Sequence, residues 1–318
     1  MLGGGGFIGQ HLVTHLRSQG HSVQAVDTAA YPTTDADIFN VGDLTDREFC
    51  NSIINKGTDE VYQLAADMGG AGYIFTGEND ADIMSNSAMI NLNVLTVCRE
   101  KGIKNILYTS SACIYPEHNQ LDPNNPTCAE NTAYPANPDS DYGWEKLFSE
   151  RLYLAHNRNY GMNCKVVRLH NIFGPLCAWN NGKEKSPAAL CRKVAQATSG
   201  DTIDVWGDGL QTRSFLYIDE CLSGFDRVMS SDLSVPINLG SEEMISINNL
   251  VYMIANIAGK QIYINNIPGP EGVRGRTSDN RLIQDLLGWK PTQDLHTGMS
   301  LLYSWINQEV NKQDTEAA

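Results

Sequence analysis

The sequence predicts an α/β protein built around a doubly wound parallel sheet, with helices on both faces. Short apolar strand patterns alternate with helical patterns through about residue 170. Glycines close several of the helical patterns, and a glycine-rich loop opens the chain. Alternation of this kind is typical of parallel strands joined by helices, because such strands are buried on both faces. Beyond residue 170 the pattern loosens, which indicates a smaller C-terminal α/β lobe.

Each element follows from hydrophobic spacing bounded by stop signals. Apolar residues recur at helical spacing from 86 to 101, and Gly102 closes that helix. Further helices are predicted at 11–20, 142–159, 187–199, 216–229, 247–258 and 295–309. Strands are predicted at 21–27, 60–66, 105–111 and 165–169. We therefore expect a core domain over residues 1–170 and, over residues 171–318, mainly a second lobe with some segments that return to the core.

Composition argues against several classes of protein. Hydrophobic residues make up 42% of the chain and charged residues 19%, as in ordinary folded enzymes. The formal net charge of −14 would repel nucleic acids and anionic membranes, and no apolar run approaches the roughly 20 residues of a membrane helix. None of the eight cysteines forms a Cys-x-x-Cys pair, so we expect no metal site. Scattered cysteines without a secretory signal indicate reduced thiols and a cytoplasmic protein.

A glycine loop near the N-terminus indicates a dinucleotide site. Gly3, Gly6 and Gly9 form a Gly-x-x-Gly-x-x-Gly pattern ahead of a predicted helix. Glycines at this spacing let the backbone turn tightly and approach a pyrophosphate at the helix N-terminus. The same glycine pattern also fits a flexible N-terminal segment, so by itself it is weak evidence for a dinucleotide site. As a cofactor loop it would use these glycines together with Phe7 and Ile8.

An acidic residue at the end of the strand at 21–27 strengthens the dinucleotide interpretation. Asp27 follows Gly9 by 18 residues, where a carboxylate can bind both ribose hydroxyls of NAD and would repel the 2′-phosphate of NADP. Asp43 and Leu44 follow a further turn, where an adenine amino group can be recognised. Together these residues predict an NAD site, so residues 1–170 are interpreted as an NAD-binding, Rossmann-like domain.

The start of the chain is unusual for this motif. A glycine loop of this kind follows a buried first strand, yet only Met1 and Leu2 precede Gly3. We therefore expect that the first strand is truncated because the N-terminus of the sequence is incomplete. The alternative is a protein that has lost most of a central strand.

Tyr142 and Lys146 form a Tyr-x-x-x-Lys pair on the helix predicted at 142–159. Residues four apart lie on one face of a helix, so the lysine can favour the phenolate and lower the pKa of Tyr142. Such a phenolate can take the proton of a sugar hydroxyl while the carbon gives hydride to NAD. The alternative is an exposed helix with an incidental tyrosine and lysine. The position of the pair after the glycine loop and Asp27 favours the catalytic interpretation.

With the Leu-Ala-Ala of residues 64–66 and the serines Ser110 and Ser111, these motifs resemble the extended short-chain dehydrogenase/reductase superfamily in type and order. The resemblance covers essentially the whole chain. It implies NAD as cofactor, a contact of Ala65 with that cofactor, and a sugar nucleotide as substrate. It also implies a homodimer that pairs the helices at 86–101 and 142–159 with those of a second copy.

Seven further blocks narrow the resemblance to the GDP-mannose 3,5-epimerase family within that superfamily. Several of them are long and uncommon, so chance is a poor explanation for the match. They occupy residues 66–70, 110–116, 170–174, 182–187, 206–215, 219–221 and 268–276. The acidic segment between 70 and 91 departs from the family pattern in a region that lies near the substrate in that family, so the sugar preference could differ.

The resemblance implies a mechanism acting on GDP-mannose or a related GDP-hexose. Tyr142, assisted by Lys146, would oxidise C4 of the hexose with NAD, and the 4-ketone would acidify the protons on C3 and C5. Cys113 and Lys185 would flank the ring, one removing a proton and the other returning one to the opposite face. Reduction at C4 would then give GDP-L-galactose, and GDP-L-gulose where C5 alone is inverted, with no net redox change. Lys185 is preferred to Lys183 because Lys-Ser-Pro matches the family pattern. A lone cysteine is more often a buried apolar residue, but a thiolate near a cation suits the base role.

The same resemblance implies the residues that bind the substrate. Ser111 would hydrogen-bond the C4 oxygen. Arg274 and Arg276 would hold the diphosphate through planar, charge-assisted contacts, the alternative being a solvated loop. Trp206 would border the nucleotide, although it equally fits a core position. The full expected set is Gly69, Gly70, Ser110, Ser111, Asn171, Lys185, Trp206, Gln211, Arg274 and Arg276.

Two other functions fit the same motifs. Another NAD-dependent sugar-nucleotide 4-epimerase or a 4,6-dehydratase would use the same Tyr/Lys pair. Cys113 with Lys185 argues against that, and so does the absence of an Asp-Glu pair at the end of that strand. A catalytically silent NAD-binding regulatory protein is the second alternative, and the complete Tyr142, Lys146 and Cys113 set argues against it.

Overall fold

The computed structural model describes residues 1–31 and 33–317. The helices are α1 (Phe7–Ser18), α2 (Arg47–Ile53), α3 (Ala71–Ile74), α4 (Asp80–Lys101), α5 (Asp141–Tyr160), α6 (Ser186–Gln196), α7 (Ile218–Met229), α8 (Ile247–Ile257), α9 (Arg281–Leu287) and α10 (Leu295–Ala317). The strands are β1 (Gln24–Asp27), β2 (Ile38–Val41), β3 (Glu60–Gln63), β4 (Asn105–Ser111), β5 (Asn163–Leu169), β6 (Ile172–Phe173), β7 (Thr202–Trp206), β8 (Thr212–Ser214), β9 (Leu216–Tyr217), β10 (Ile237–Leu239), β11 (Met244–Ser246), β12 (Tyr263–Ile267) and β13 (Gly275–Arg276). Short 3₁₀ turns lie at Ala112–Ile114, Glu117–Gln120 and Glu130–Ala133.

A parallel sheet forms the centre of the protein. Strand β2 pairs with β1, and β3, β4, β5 and β10 follow one another as a second group. Leu2 joins the two groups through parallel bridges to Val26 and Gln63, so the residues before the glycine loop lie between β1 and β3. Strand β10 comes from the second half of the chain and pairs with β5. All of these pairings are parallel.

Alternate residues of the central strands enter two separate hydrophobic clusters, because successive side chains of a strand point to opposite faces. Leu107 and Val167 pack in the cluster that contains Leu12 of α1. Ile106 and Tyr108 pack in the cluster that contains Val94 of α4. Both faces of the sheet are therefore covered, and the predicted doubly wound α/β fold is confirmed.

Helices α4 and α5 pack side by side and have well-formed ends. Gly102 closes α4 with a φ of +76°, a left-handed conformation that favours glycine. The Ser140 hydroxyl accepts a hydrogen bond from the Gly143 N–H at the start of α5. Helix α4 begins at Asp80, earlier than the predicted 86, because Asp80 and Asp82 suit the positive end of a helix although they interrupt the apolar pattern.

The second half of the chain contributes short strand pairs and three packed helices. Strand β9 takes residues 216–217 of the segment predicted as one helix, and α7 follows it. Helix α10 packs against α6 and α8, and its residues join the cluster on the α1 face of the sheet. Within residues 1–31 and 33–317, no helix combines the length and apolarity needed to span a bilayer. The same residues contain no group of three or more His, Cys, Asp or Glu side chains placed to bind a metal ion.

Candidate active site

A cavity of about 1040 Å³ lies at the carboxyl edge of the parallel sheet and is also lined by residues from the second half of the chain. Ligands of open α/β sheets bind at this edge, where the strands deliver their C-terminal residues. The cavity is lined by all but one of the residues expected from the sequence. They are Gly3, Gly6, Phe7, Ile8, Gly9, Asp27, Asp43, Leu44, Ala65, Gly69, Gly70, Ser110, Ser111, Cys113, Tyr142, Lys146, Asn171, Lys185, Trp206, Gln211 and Arg276.

The glycine loop forms the floor of the dinucleotide end of the cavity. Gly3 has a φ of +82°, and a Cβ atom there would lie 2.8 Å from the Ala65 nitrogen. A Cβ atom at Gly9 would lie 2.1 Å from the Gly3 carbonyl oxygen, so both positions require glycine. Helix α1 starts here without a side-chain cap or an acidic first turn. Its first N–H groups and positive dipole end therefore suit a pyrophosphate.

Asp27 is fixed at the rim of the same loop. Its Oδ2 accepts the Gly5 N–H at 2.9 Å, and its Oδ1 accepts the Thr28 N–H at 2.7 Å. A carboxylate has further acceptor sites beyond these two bonds, so it can still bind ribose hydroxyls. The close glycine loop and the oriented carboxylate together fit NAD.

Tyr142 and Lys146 lie in the first turns of α5, with only 6% and 3% of their surfaces exposed. Lys146 Nζ donates a hydrogen bond to the Thr109 carbonyl oxygen at 3.0 Å, which anchors it to β4. The same Nζ lies 5.7 Å from the centre of the Tyr142 ring. The lysine charge is therefore held beside the phenol, as the Tyr-x-x-x-Lys spacing predicts.

The expected direction of the shift in the pKa of Tyr142 is wrong. Burial raises the pKa of Tyr142 well above its usual range, and the nearby Cys113 raises it further. The Ser111 hydroxyl and the Arg276 charge lower the pKa of Tyr142 but do not compensate. Desolvation opposes the phenolate, and the sequence pattern alone does not report it.

Cys113 follows β4 directly and lies in the 3₁₀ turn Ala112–Ile114. The Ser111 Oγ accepts its N–H at 3.1 Å, which fixes the turn. Its Sγ lies 3.1 Å from Nη1 of Arg276, within hydrogen-bond distance for sulfur. The thiol is partly exposed to the cavity. The guanidinium therefore places a positive charge directly beside the sulfur.

Arg276 has several partners within the protein. Its guanidinium donates to Asp139 at 3.0 Å and to the Gln120 side-chain oxygen at 2.6 Å, in addition to the Cys113 contact. The side chain is 95% buried, with 5% of its surface exposed. These contacts fix Arg276 beside the Cys113 side chain, and its role as a diphosphate ligand stays a prediction.

Arg274 does not line the cavity, in contrast to the expectation from the sequence. Two carboxylates hold its guanidinium: Asp208 at 3.0 Å and Glu271 at 3.0 Å. Arg274 and Arg276 are separated by one residue. Their side chains would lie on the same face only if both residues belonged to one regular strand, because side chains alternate between the two faces of a strand. Strand β13 starts at Gly275, after Arg274, and this allows the two side chains to diverge.

Lys185 reaches the cavity from the loop that precedes α6. Its side chain is exposed to the cavity, whose walls lower its pKa by desolvation, while Cys113 raises it. The loop is fixed by a hydrogen bond from the Gly70 N–H to the Lys183 carbonyl oxygen at 3.0 Å. A Cβ atom at Gly70 would lie 2.2 Å from the Glu184 carbonyl oxygen, so glycine is required for this approach.

The remaining expected residues contact the cavity in different ways. Trp206 is 42% exposed, which rules out the core interpretation. Gln211 is buried and donates to the Trp206 carbonyl oxygen at 3.1 Å. The Asn171 side chain donates to the Ser214 carbonyl oxygen at 2.9 Å. The Ser110 hydroxyl donates to Glu150 at 2.6 Å, so it supports α5 from within the protein.

Arg213 lines the cavity and was missed by the sequence reasoning. Its guanidinium donates to the backbone carbonyl oxygens of Thr212 and Glu271, at 2.8 and 3.0 Å. In the described part of the chain, no carboxylate lies within ion-pair distance of it. Desolvation, first, and the charge of Arg276, second, lower the pKa of Arg213 to about 10. The signal was available, because Arg213 lies within the block 206–215 that carries the family resemblance.

Comparison with known proteins identifies the family of the chain. A model of the NAD-dependent epimerase/dehydratase family matches residues 1–240, so the chain belongs to that family. The fold resembles UDP-glucose 4-epimerase from Thermotoga maritima, with a TM-score of 0.84 and 23% sequence identity over 97% of this chain and 98% of that one. This likeness supports the fold.

Two relatives that cover nearly the whole chain are GDP-mannose 3,5-epimerases. GDP-mannose 3,5-epimerase of Arabidopsis thaliana is 45% identical over 322 residues, which cover 100% of this chain and 84% of that protein. GDP-mannose 3,5-epimerase 1 of Oryza sativa subsp. japonica is 45% identical over 320 residues, covering 99% of this chain and 83% of that protein. The resemblance drawn from the seven sequence blocks is confirmed.

Proposed function

We propose that the protein epimerises GDP-mannose at C3 and C5, giving GDP-L-galactose and, where C5 alone is inverted, GDP-L-gulose. The observation that supports this most is the placement of Cys113 and Lys185 in the cavity that also contains the Tyr142/Lys146 pair. The 45% identity to GDP-mannose 3,5-epimerases over the whole chain agrees with it. A pair that only oxidises and reduces C4 has no need of a second acid/base set.

Bound NAD would supply the redox chemistry, accepting hydride from C4 and returning it in the last step. Tyr142 takes the proton of the C4 hydroxyl, and Lys146 stabilises the resulting negative charge through its ammonium group. Ser111, which contacts both Tyr142 and the Cys113 turn, is placed to orient the C4 oxygen. When C4 is reduced again, Tyr142 returns its proton to the oxygen, so the residues end in their starting states.

Proton exchange at C3 and C5 follows from the 4-ketone. Loss of either proton leaves a carbanion that is delocalised as an enolate, and the electron pair returns to carbon when a proton is added from the other face. Cys113, as the thiolate beside Arg276, suits the removal of the proton. Lys185, as the ammonium, suits its delivery, and its lowered pKa makes that proton easier to give. Before the second carbon reacts, Cys113 loses its proton to solvent and Lys185 regains one from solvent, so both side chains return to their starting states.

Arg213 is proposed as the main diphosphate ligand, because it is a cavity-lining cation without a carboxylate partner among the described residues. Arg213→Ala should raise KM for GDP-mannose about 10- to 100-fold, since a hydrogen bond to a charged group contributes about 1.5–3 kcal/mol. The value of kcat should fall much less, because the lost contact is present in both ground and transition states. Steady-state kinetics with GDP-mannose measures both constants.

Arg274→Ala is the matched control for this prediction. It removes the same functional group from an arginine that also contacts Glu271 but does not line the cavity, so KM should stay within about twofold. A larger rise in KM for Arg274→Ala than for Arg213→Ala would contradict the assignment.

The proposed function is tested by product analysis. The purified protein carrying NAD is incubated with GDP-mannose, and the nucleotide sugars are separated and identified by proton NMR. Inversion at C3 and C5 supports the proposal. Inversion at C4 alone, or a 4-keto-6-deoxy product, would assign the protein to the 4-epimerases or to the 4,6-dehydratases instead.

We further propose that the chain forms a homodimer through α4 and α5. These adjacent helices expose large apolar side chains, among them Met89 and Leu92 on α4 and Trp144 and Phe148 on α5, each at least 40% exposed. Large apolar side chains exposed on two packed helices are typical of a protein interface, and two such helix pairs can form a four-helix contact around a twofold axis.

Phe148→Glu should convert the proposed dimer into a monomer, because it places a charge in the centre of the apolar face. The mass measured by light scattering should fall from about twice the chain mass to 35.0 kDa. Leu286→Glu, at a 52% exposed position on α9, is the control and should leave the mass unchanged. A wild-type mass of one chain, or a Phe148→Glu protein that stays dimeric, would contradict the proposal.

A further inference from the structure

Glu145, which directly precedes Lys146 on α5, is a buried carboxylate that the proposed chemistry does not use. Only 1% of its surface is exposed. It lies one turn from Tyr142 and one turn from Ser149, so these residues share a face of the helix. Burying a carboxylate costs free energy unless it is bonded or balanced by a charge, so its presence beside the redox pair requires an explanation.

The hydrogen bonds of Glu145 show that it acts as an acceptor. Its Oε1 accepts from the Ser149 hydroxyl at 2.6 Å and from the Asn91 side-chain amide at 3.2 Å. The orientation of that amide is fixed, because the Asn91 Oδ1 accepts from Gln63 at 3.1 Å and from Tyr153 at 3.1 Å. Both contacts use Oε1 as an acceptor, so together they fix the position of the carboxyl group.

Glu145 forms no ion pair with any described residue. The other buried glutamate of α5, Glu150, accepts two hydrogen bonds from Arg168, at 2.9 and 2.8 Å. Glu145 has no Lys or Arg partner within 4.0 Å in the described ranges 1–31 and 33–317, and its Oε2 is buried without a hydrogen bond to them. Its field therefore acts on the groups nearby, and the nearest cation along the helix is Lys146.

We propose that Glu145 is a positioning residue of the redox pair: its buried carboxylate balances the Lys146 ammonium and sets the pH range in which Tyr142 exchanges its proton. The inference rests on the proposed function, since it requires that Tyr142 and Lys146 act on a hydroxyl. The Asn91 and Ser149 hydrogen bonds hold the carboxylate in place, and they tie α4 to the catalytic turn of α5.

The direction of the effect follows from charge. Burial lowers the pKa of Lys146, and the Glu145 carboxylate raises it. Burial also raises the pKa of Tyr142, and the Glu145 carboxylate raises it further. Removing the negative charge must lower both pKa values. The other titratable or charged groups that face this pair are Tyr108, Cys113, Glu150, Tyr153, Lys185 and Arg276, and all of them stay unchanged in the test.

Glu145→Gln keeps the size of the side chain and removes its charge. Activity requires the Tyr142 phenolate at the acid limb of the pH profile and the Lys146 ammonium at the alkaline limb. Both limbs should therefore move to lower pH by about one unit, the shift typical of a nearby buried charge. The measurement is the pH dependence of NADH formation in a single turnover of NAD-loaded protein with GDP-mannose.

Ser149→Ala is the matched control, because it removes a hydrogen bond to Glu145 and keeps the charge. Its pH limbs should stay in place even if its stability falls. Unmoved limbs in Glu145→Gln, or equal shifts in both variants, would overturn the proposal. If the glutamine variant does not fold, Glu145→Asp replaces it, because aspartate retains the charge. Limbs of the pH profile that stay in place then support the proposal, and limbs that move by a full unit would overturn it.

A second measurement separates this inference from the proposed function. The phenolate absorbance of NAD-loaded protein is titrated with pH and referenced to Tyr142→Phe, with no sugar nucleotide present. A titration displaced to lower pH in Glu145→Gln supports the role of Glu145 even if GDP-mannose reduces no NAD in the wild type. An identical titration in both proteins overturns it, whatever the substrate proves to be.

Discussion

Tyr142→Phe is expected to lower kcat with GDP-mannose by about a thousandfold, within the range seen when a general acid–base group is removed. Phenylalanine fills the same buried space but has no hydroxyl to take the proton from C4. Because Lys146 is held by Thr109 as well as by its position on α5, the rest of the turn should keep its geometry. The loss should therefore appear in kcat, and the dissociation constant for GDP-mannose should change little.

The measurement is steady-state product formation, together with the NADH signal of a single turnover and a separate binding titration. Tyr252→Phe, at a 52% exposed position on α8, is the matched control and should leave kcat within about twofold. NADH formation at the wild-type rate in Tyr142→Phe would contradict the assignment of the redox pair.

Cys113→Ser is expected to separate the two halves of the reaction. A serine hydroxyl is a far weaker base than a thiolate, so removal of the C3 and C5 protons should slow by about a hundredfold or more. Oxidation at C4 depends on Tyr142 and should continue, so the variant should still form NADH with GDP-mannose. Binding should be retained, because Arg276 keeps its contacts with Asp139 and Gln120.

Solvent deuterium uptake at C3 and C5 measures the first effect, and the NADH signal measures the second. Cys177→Ser is the control, because this thiol is also partly exposed and lines the same cavity but has no part in the proposed mechanism. Deuterium uptake in this variant should stay within about twofold of the wild type. Unchanged uptake in Cys113→Ser would reject the thiol as the base. Loss of NADH formation and of uptake to the same extent would point to a structural role instead.

The fold was largely predictable because its signals are local. Gly102 closes α4 and the alternating strand 105–111 reappears as β4, because both signals lie within a few residues of the chain. The start of α4 was missed because its first turn is held by acidic residues near the helix dipole and not by apolar spacing. Strand β10 could not be placed by spacing, since its partner β5 is distant in the chain.

The site residues that the sequence motifs name were brought together, but their interactions were not predictable. The sequence motif gives Arg274 and Arg276 the same expected role. Only the fold shows that Arg276 contacts Cys113, whereas Arg274 is held by Asp208 and Glu271. The Tyr-x-x-x-Lys spacing gives the direction of the lysine effect, yet burial decides the pKa of Tyr142. Burial and long-range ion pairs depend on tertiary packing, which no single motif reports.

The central claim is that C3 and C5 exchange protons while C4 is transiently a ketone in one active site. Incubation of the NAD-loaded protein with GDP-mannose in deuterated water, followed by NMR of the recovered sugar nucleotides, tests it most directly. The account predicts deuterium at C3 and at C5 and none at C4, because the hydride on C4 leaves and returns without contact with solvent. Recovery of the sugar without deuterium at C3 and C5, from protein shown to carry NAD, would contradict it.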